Sequence, residues 1–205
     1  SRGLGDVYKR QFQMYMANMK SIFMDMIKNT DMVIFNRCKK EDPLPTYRRG
    51  IKVANQRAEV IFEDEEGELG DIFQDEMPFD MNAPVIEILP EDYGIWFVDA
   101  MDHPENYEGK TVKFKARVMK PRGMGSKFFV PGRTAMTCCA DDTTFLGYVC
   151  KSAYAPKLTP GEWVEVTAKV GIEKRNEYQG EEGIVLDAEH VEQCDPLEDE
   201  MVYFN

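Results

Sequence analysis

Residues 108–118 read EGKTVKFKARV and residues 160–170 read PGEWVEVTAKV, so one pattern occurs twice in the chain. In each stretch a glycine turn is followed by apolar residues at every second position, with charged or hydroxylated residues between them. Successive side chains of a strand point to opposite faces of a sheet, so this alternation predicts two half-buried strands.

Three further apolar runs, each bounded by turn-forming residues, occupy residues 128–139, 144–150 and 182–194. Five short strands within about 80 residues predict a small closed barrel. The matching pair of strands and the late VLDAEHVE strand are typical of the OB type of barrel, with an irregular β-sandwich as the alternative. The predicted fold class is mainly β with an N-terminal helix (α+β), the OB-like barrel being preceded by helical and acidic linker segments.

The chain before the barrel divides into segments of different composition. Residues 1–11, SRGLGDVYKRQ, resemble a translated sequencing-adapter tail and are set aside, so we expect the natural protein to begin upstream, with room for a membrane segment. Residues 12–35 show apolar and methionine side chains at helical spacing and predict an amphipathic helix. Residues 36–83 change from basic to acidic and predict a linker, which leaves residues 84–205 as the barrel domain with a leading strand and helix.

The net charge of the chain limits the kinds of molecule that it is expected to bind. The chain has 205 residues, with 37 acidic and 25 basic side chains and a formal charge of −12. An excess of carboxylate repels phosphate, which argues against general binding to nucleic acid and to anionic membrane surfaces. The sequence has no apolar run of eighteen or more residues, so we expect none of its helices to cross a bilayer.

The cysteines are five in number and irregularly spaced: Cys38, Cys138, Cys139, Cys150 and Cys194. An odd count without regular spacing does not indicate a disulfide framework. A reduced compartment or an anaerobic source is the expected setting.

The adjacent pair Cys138 and Cys139 lies in RTAMTCCADD, residues 133–142. Neighbouring side chains of a strand face opposite sides, and a disulfide between adjacent residues has poor geometry, so an internal redox pair is disfavoured. One interpretation makes Cys138 a small buried apolar residue at the end of a strand, with Asp141 capping the turn that follows.

A metal site is the other interpretation of this segment. Its ligands would be Cys138, Cys139 and Asp142, with Cys150 as a further donor, although no C-x-x-C spacing supports the set. A catalytic cysteine is less well supported, because no Cys–His arrangement resembles a nucleophile motif. A metal ion is therefore the only cofactor that the sequence raises.

Arg133 lies on an apolar strand, where a charge needs a partner. We predict that Arg133 forms an ion pair with Asp141 or Asp142 just beyond the turn. Alternatively, its planar guanidinium binds an anionic ligand. The candidate ligand- or partner-binding residues are Arg133, Thr137, Cys138, Cys139, Asp141 and Asp142.

The stretch from residue 84 to residue 205, and above all the segment Arg133–x₄–Cys138–Cys139–Ala140–Asp141, resembles the C-terminal domain of the YcgQ-like family. The resemblance implies a subunit of a membrane permease, with a separate multi-pass permease as its partner and transmembrane helices ahead of the domain. This chain departs from that pattern in lacking the membrane helices and in ending with EDEMVYFN.

Three functions follow from these observations. The first is a non-enzymatic accessory or ligand-binding subunit of a membrane permease, with no nucleic-acid partner and with membrane contact through a missing N-terminal segment. On this view the family is membrane-associated and this chain is itself soluble. The second is a metal-binding or metal-delivery protein. The third, a single-stranded nucleic-acid-binding OB module, rests on fold analogy alone.

Overall fold

The computed structural model describes residues 5–8, 27–70, 77–136 and 143–203. The chain divides into two compact units. The N-terminal unit comprises Ser1–Glu76, Ala135–Thr144 and Tyr203–Asn205. The barrel unit comprises Met77–Thr134 and Phe145–Val202. No helix among the described residues is long and apolar enough to cross a membrane.

Among its described residues, the N-terminal unit contains a small sheet of four strands and a helix packed on it. Its elements are β1 (Gly5–Tyr8), β2 (Met32–Asn36), α1 (Leu44–Ala54), β3 (Glu59–Asp64) and β4 (Gly67–Glu68). Strands β1, β2 and β3 are parallel neighbours, and β4 is antiparallel to β3. Helix α1 therefore provides the crossover that a parallel β2–β3 pair requires.

The core of this unit lies between α1 and the sheet. Leu44, Tyr47 and Ile51 follow helical spacing and are buried. The ring of Phe35 stacks on Tyr47 at 5.8 Å and on Phe62 at 4.9 Å between ring centroids. Stacked aromatic rings at these distances add to the stabilisation that burial provides.

The structure differs from the linker predicted over residues 36–83, because that segment contains α1 and β3. Its many charges concealed the apolar spacing of α1. The helix predicted over residues 12–35 lies mostly outside the described residues, and its last residues form β2. The backbone of residues 5–8, which the sequence analysis sets aside, pairs as β1.

The barrel unit begins with a short strand and a helix, followed by seven strands. Its helix α2 spans Tyr93–Asp102, after a 3₁₀ turn at Pro90–Asp92. The strands are β5 (Ile86–Glu87), β6 (Thr111–Met119), β7 (Phe128–Met136), β8 (Thr143–Gly147), β9 (Val149–Lys151), β10 (Trp163–Lys174), β11 (Glu182–Gln193) and β12 (Met201–Val202).

Five of these strands close into a barrel. Strand β6 pairs antiparallel with β7 and with β10, and β10 pairs antiparallel with β11. Strand β9 completes the circle, because it pairs antiparallel with β7 and parallel with β11. Closure removes the free edges of the five strands. The prediction of a mainly β chain with a five-stranded OB-like barrel is confirmed.

The interior of the barrel is filled by alternate side chains and by α2. Along β6 the buried residues are Val112, Phe114, Ala116 and Val118, as the sequence pattern predicts. Helix α2 contributes Trp96, which is fully buried, with its ring centroid 4.9 Å from that of Phe114.

Strand β8 crosses close to β7 at a glycine. A Cβ atom on Gly132 would lie 2.5 Å from the Leu146 carbonyl oxygen and 2.5 Å from the Phe145 ring. Only glycine fits at this position without displacing backbone.

Candidate functional site

Arg133 lies on β7 and is buried, with 2% of the residue exposed. Burial lowers the pKa of its guanidinium, while the nearby Tyr93, Asp199 and Glu200 act in the opposite direction. An arginine in this position still needs hydrogen-bond acceptors, because an unpaired buried charge is strongly destabilising.

Backbone carbonyls supply those acceptors. The Arg133 Nη1 donates to the Pro90 carbonyl at 3.0 Å, and Nη2 donates to the carbonyls of Asp199 and Met201 at 3.3 and 3.4 Å. Its Nε donates to the Glu200 carbonyl at 3.4 Å. Arg133 thus joins the turn before α2 to three consecutive residues of the C-terminal segment.

The ring of Tyr93 covers the guanidinium, with the Arg133 Cζ 5.6 Å from the ring centroid. A cation over an aromatic face at this distance is attracted to the ring. The Tyr93 hydroxyl donates to the Leu146 carbonyl at 2.7 Å. Burial raises the pKa of Tyr93 far above its usual value, so the ring carries no charge at neutral pH.

The other candidate residues of the RTAMTCCADD segment lie outside the described part of the chain: Thr137, Cys138, Cys139, Asp141 and Asp142. The ion pair of Arg133 with one of the two aspartates therefore stays a prediction, and so does the metal set of Cys138, Cys139 and Asp142. The position of Arg133 on an apolar strand indicates that it needs partners, but nothing in the sequence indicates that backbone carbonyls are among them.

The described cysteines are Cys38, Cys150 and Cys194. Cys150 is fully buried, and burial raises the pKa of its thiol well above the usual value, so it is protonated at neutral pH. A protonated, enclosed thiol is a poor nucleophile and a poor metal ligand. The described residues, which omit residues 137–142, contain no group of three or more His, Cys, Asp or Glu side chains that could hold a metal ion.

A second cluster, which the sequence analysis missed, covers the outer face of β7, β9 and β11. We call it the outer cluster. Its buried members are Met124, Val130, Val149 and Val185, and its partly buried members are Phe128, Phe145 and Tyr178. The loops before β7 and before β11 contribute Met124 and Tyr178. These loops therefore pack on the barrel wall.

Tyr178 fixes the β10–β11 loop to this wall. Its hydroxyl accepts a hydrogen bond from the Val149 amide at 2.9 Å and donates to the Ile184 carbonyl at 2.6 Å. Burial raises the pKa of Tyr178 to about 12. Its ring lies over Gly183, where a Cβ atom would come within 2.6 Å of it. The only sequence signal for this contact is an aromatic residue in the otherwise polar loop RNEYQG.

Phe128, at the rim of the outer cluster, is also covered. The Arg175 Cζ lies 4.2 Å from the centroid of the Phe128 ring. Arg175 in turn donates two hydrogen bonds to the Glu177 carboxylate, at 2.9 and 3.0 Å. One face of Phe128 is thus occupied by a guanidinium that is itself held in place.

We expect Tyr178→Phe to lower the free energy of unfolding by about 1–2 kcal/mol, because the Val149 amide and the Ile184 carbonyl both lose their partner. Urea denaturation followed by circular dichroism measures the change. Tyr154→Phe is the matched control, because Tyr154 is 49% exposed and its loss of a hydroxyl should change stability by under about 0.5 kcal/mol. Equal effects of the two substitutions would contradict the role assigned to Tyr178.

Residues 68–204 match the DUF1980 C-terminal domain. The chain belongs to the DUF1980 family. The match includes all of the barrel unit and the RTAMTCCADD segment, so Arg133 and the outer cluster are features of a DUF1980 domain. A comparison with the curated proteins found no match.

Among solved structures, the DUF1980 chain is similar to two crystal structures of the mitochondrial single-stranded DNA binding protein Rim1 from S. cerevisiae, both of form 2 and one of them selenomethionine-labelled. Each is 10% identical and covers 43% of this chain and 97% of the other, with TM-scores of 0.26 and 0.27. A deletion mutant of the single-stranded DNA binding protein from Thermus aquaticus is 16% identical. The match covers 43% of this chain and 42% of the other, with a TM-score of 0.25. Similarities this low carry no argument about function.

Proposed function

We propose that this chain is a non-enzymatic accessory subunit of a membrane permease and that its barrel is a docking module. The observation that carries the proposal is that the barrel wall is packed on both sides along β7, β9 and β11. Aromatic side chains around Trp96 fill the interior, and the outer cluster fills the surface of β7, β9 and β11. A barrel filled in this way binds partners through its loops and free strand rather than in a groove.

The same packing argues against strand binding by the barrel. Proteins that bind single-stranded nucleic acid stack successive bases on open aromatic faces. Here Arg175 covers one face of Phe128, and two hydrogen bonds hold Tyr178 against the barrel wall. The proposal therefore includes no nucleic-acid partner and no catalytic role for the barrel.

The free strand β5 is the expected docking edge. Among the described strands it pairs with β6 alone, on one side, and lies at the end of the sheet. Val85 and Leu89 flank it and are 39% and 48% exposed. Leu89 precedes Pro90, and Arg133 donates a hydrogen bond to the Pro90 carbonyl. This edge is therefore fixed before a partner binds. Pre-formed edges with exposed apolar side chains are suited to binding another protein.

The resemblance of the Arg133–Asp141 segment to YcgQ-like permease subunits supports a multi-pass permease as that partner, with the chain working at the membrane. The alternative of metal delivery has no support among the described residues, since its ligands lie outside them.

Affinity purification of the tagged full-length protein in mild detergent tests the proposal. We expect a multi-pass permease encoded beside the gene to co-purify in near-equal amount. A photo-crosslinking residue at Leu89 should join the barrel to that permease, whereas the same residue at the exposed Lys40 of the N-terminal unit should not. Recovery without any permease would contradict the accessory role, and crosslinking from Lys40 alone would contradict docking by the barrel.

A further inference from the structure

The charge of the chain is divided unevenly along the sequence. Residues 110–161, which contain β6 to β9, include ten lysines and arginines and only two acids, Asp141 and Asp142, a formal charge of +8. The rest of the chain has fifteen basic and thirty-five acidic residues, a charge of −20, which together give the total of −12. The total therefore conceals a strongly basic part of the barrel.

Some of these basic side chains already have partners. Lys113 lies 3.5 Å from the Glu165 carboxylate, and Arg117 lies 3.8 Å from that of Glu200. Arg133 is buried against carbonyls. Lys110 donates to the Met81 carbonyl, and Lys115 lies inside β6. The other five cations of this stretch lie at one end of β6 and β7.

We call these residues the basic tip: Lys120, Arg122, Lys127, Lys151 and Lys157. Lys120 is partly exposed and the other four are exposed. None of the five forms an ion pair with a described residue.

Backbone contacts place the basic tip on one end of the barrel. The Ser152 amide donates to the Lys127 carbonyl at 2.8 Å, and Lys151 is in register with Phe128. The Gly161 amide donates to the Val118 carbonyl at 2.7 Å, which brings the loop after Lys157 beside the end of β6. Acids lie at its border: Asp187 is in register with Lys151, Glu162 is next to Gly161, and Glu177 binds the Arg175 that covers Phe128.

Two exposed apolar side chains accompany these charges. Met119 is 39% exposed at the end of β6, and Tyr154 is 49% exposed between Lys151 and Lys157. A tyrosine ring with a polar end suits the boundary between lipid headgroups and acyl chains.

We infer that the basic tip binds the anionic phospholipid headgroups of a bilayer surface. Clusters of four or more Lys or Arg residues bind such surfaces by diffuse electrostatic attraction. Four of the five cations are lysines, a residue that is depleted in protein–protein interfaces and that acts as a hydrated point charge rather than as a bidentate donor. Nucleic acid is disfavoured as the polyanion, because strand-binding proteins stack several successive bases on aromatic rings and Arg175 already covers one face of Phe128.

The negative total charge does not prevent this contact. Charges are screened beyond about 8–10 Å at physiological ionic strength, so a membrane close to the basic tip experiences the local charge. The acidic remainder of the chain is repelled by the same surface. The barrel is therefore oriented with its β6–β7 loop toward the headgroups. This inference deepens the proposed function by giving the barrel its orientation at the membrane.

Flotation of the purified full-length chain with vesicles tests the inference without any permease. We expect binding to vesicles of phosphatidylcholine with about 30% phosphatidylglycerol, no binding to pure phosphatidylcholine, and release in 0.5 M NaCl. The variant Lys120→Glu/Arg122→Glu/Lys127→Glu should bind the anionic vesicles at least about tenfold more weakly.

The control is Lys39→Glu/Lys40→Glu/Lys169→Glu, which changes the net charge by the same amount at exposed positions outside the basic tip. It should keep most of the binding. Equal losses in the two variants, or no binding by the unaltered chain, would overturn the inference. A different result is that the unaltered chain does not bind vesicles while the tip variant no longer co-purifies with the permease in detergent. The basic tip would then be a protein interface, and the proposed function would stand without the membrane contact.

Discussion

Arg133→Ala is expected to lower the free energy of unfolding by about 3 kcal/mol. The substitution removes a buried side chain and, with it, the donors for the carbonyls of Pro90, Asp199, Glu200 and Met201. It also leaves a space beneath the Tyr93 ring. Urea denaturation monitored by circular dichroism gives the change directly.

Arg122→Ala is the control for this substitution, because Arg122 is exposed and its loss should change stability by under about 0.5 kcal/mol. Arg133→Lys should recover only part of the loss, since one ammonium group cannot reach all the carbonyls that the guanidinium does. An unchanged unfolding midpoint combined with loss of the permease would show that Arg133 serves a ligand or partner instead.

Trp96→Ala is expected to cost about 4 kcal/mol, the largest effect predicted for this chain. Trp96 is fully buried and contacts the rings of Tyr93, Phe114 and Tyr148, at 5.4, 4.9 and 5.6 Å between centroids. Alanine would leave a cavity where α2 meets the barrel, and the surrounding rings cannot collapse far enough to fill it. Thermal and urea unfolding both measure the loss.

Trp96→Phe separates cavity formation from loss of a polar contact. The Trp96 Nε1 is buried and has no hydrogen-bond partner among the described residues, so phenylalanine removes no hydrogen bond. We expect it to cost about 1–2 kcal/mol through the smaller ring alone. A loss as large as that of alanine would mean that the indole nitrogen has a partner, which would contradict this account of the core.

The barrel was predictable because apolar and polar residues alternate along its strands. In β6 every second residue from Val112 to Val118 is apolar, and a lysine or arginine lies between each two of them. The buried face of this strand can therefore be recognised from the sequence alone. The N-terminal unit was not predictable in this way. Its helix α1 is rich in charge, and its apolar residues are recognisable as a face only once β2 and β3 are seen to lie against them.

The candidate site was predictable only in part. An arginine among apolar residues indicates a need for acceptors, but sequence distance pointed to the nearby aspartates, and the carbonyls of residues 199–201 lie more than sixty residues away. Tyr178 and Met124 are in polar loops whose packing depends on closure of the barrel. The basic tip was concealed because a total charge averages over the chain.

The closed barrel has a consequence for the order in which the chain folds. Strands β10 and β11 are joined by a short loop and pair along their whole length, so they can associate locally. Strand β6 must instead find β10, with Val112 opposite Ala168, and β9 must find β11, with Val149 opposite Val185. Contacts between residues this distant form late. During synthesis, β6 to β9 therefore emerge first and keep two unpaired edges until the last long hairpin leaves the ribosome, which is when this domain is most exposed to aggregation.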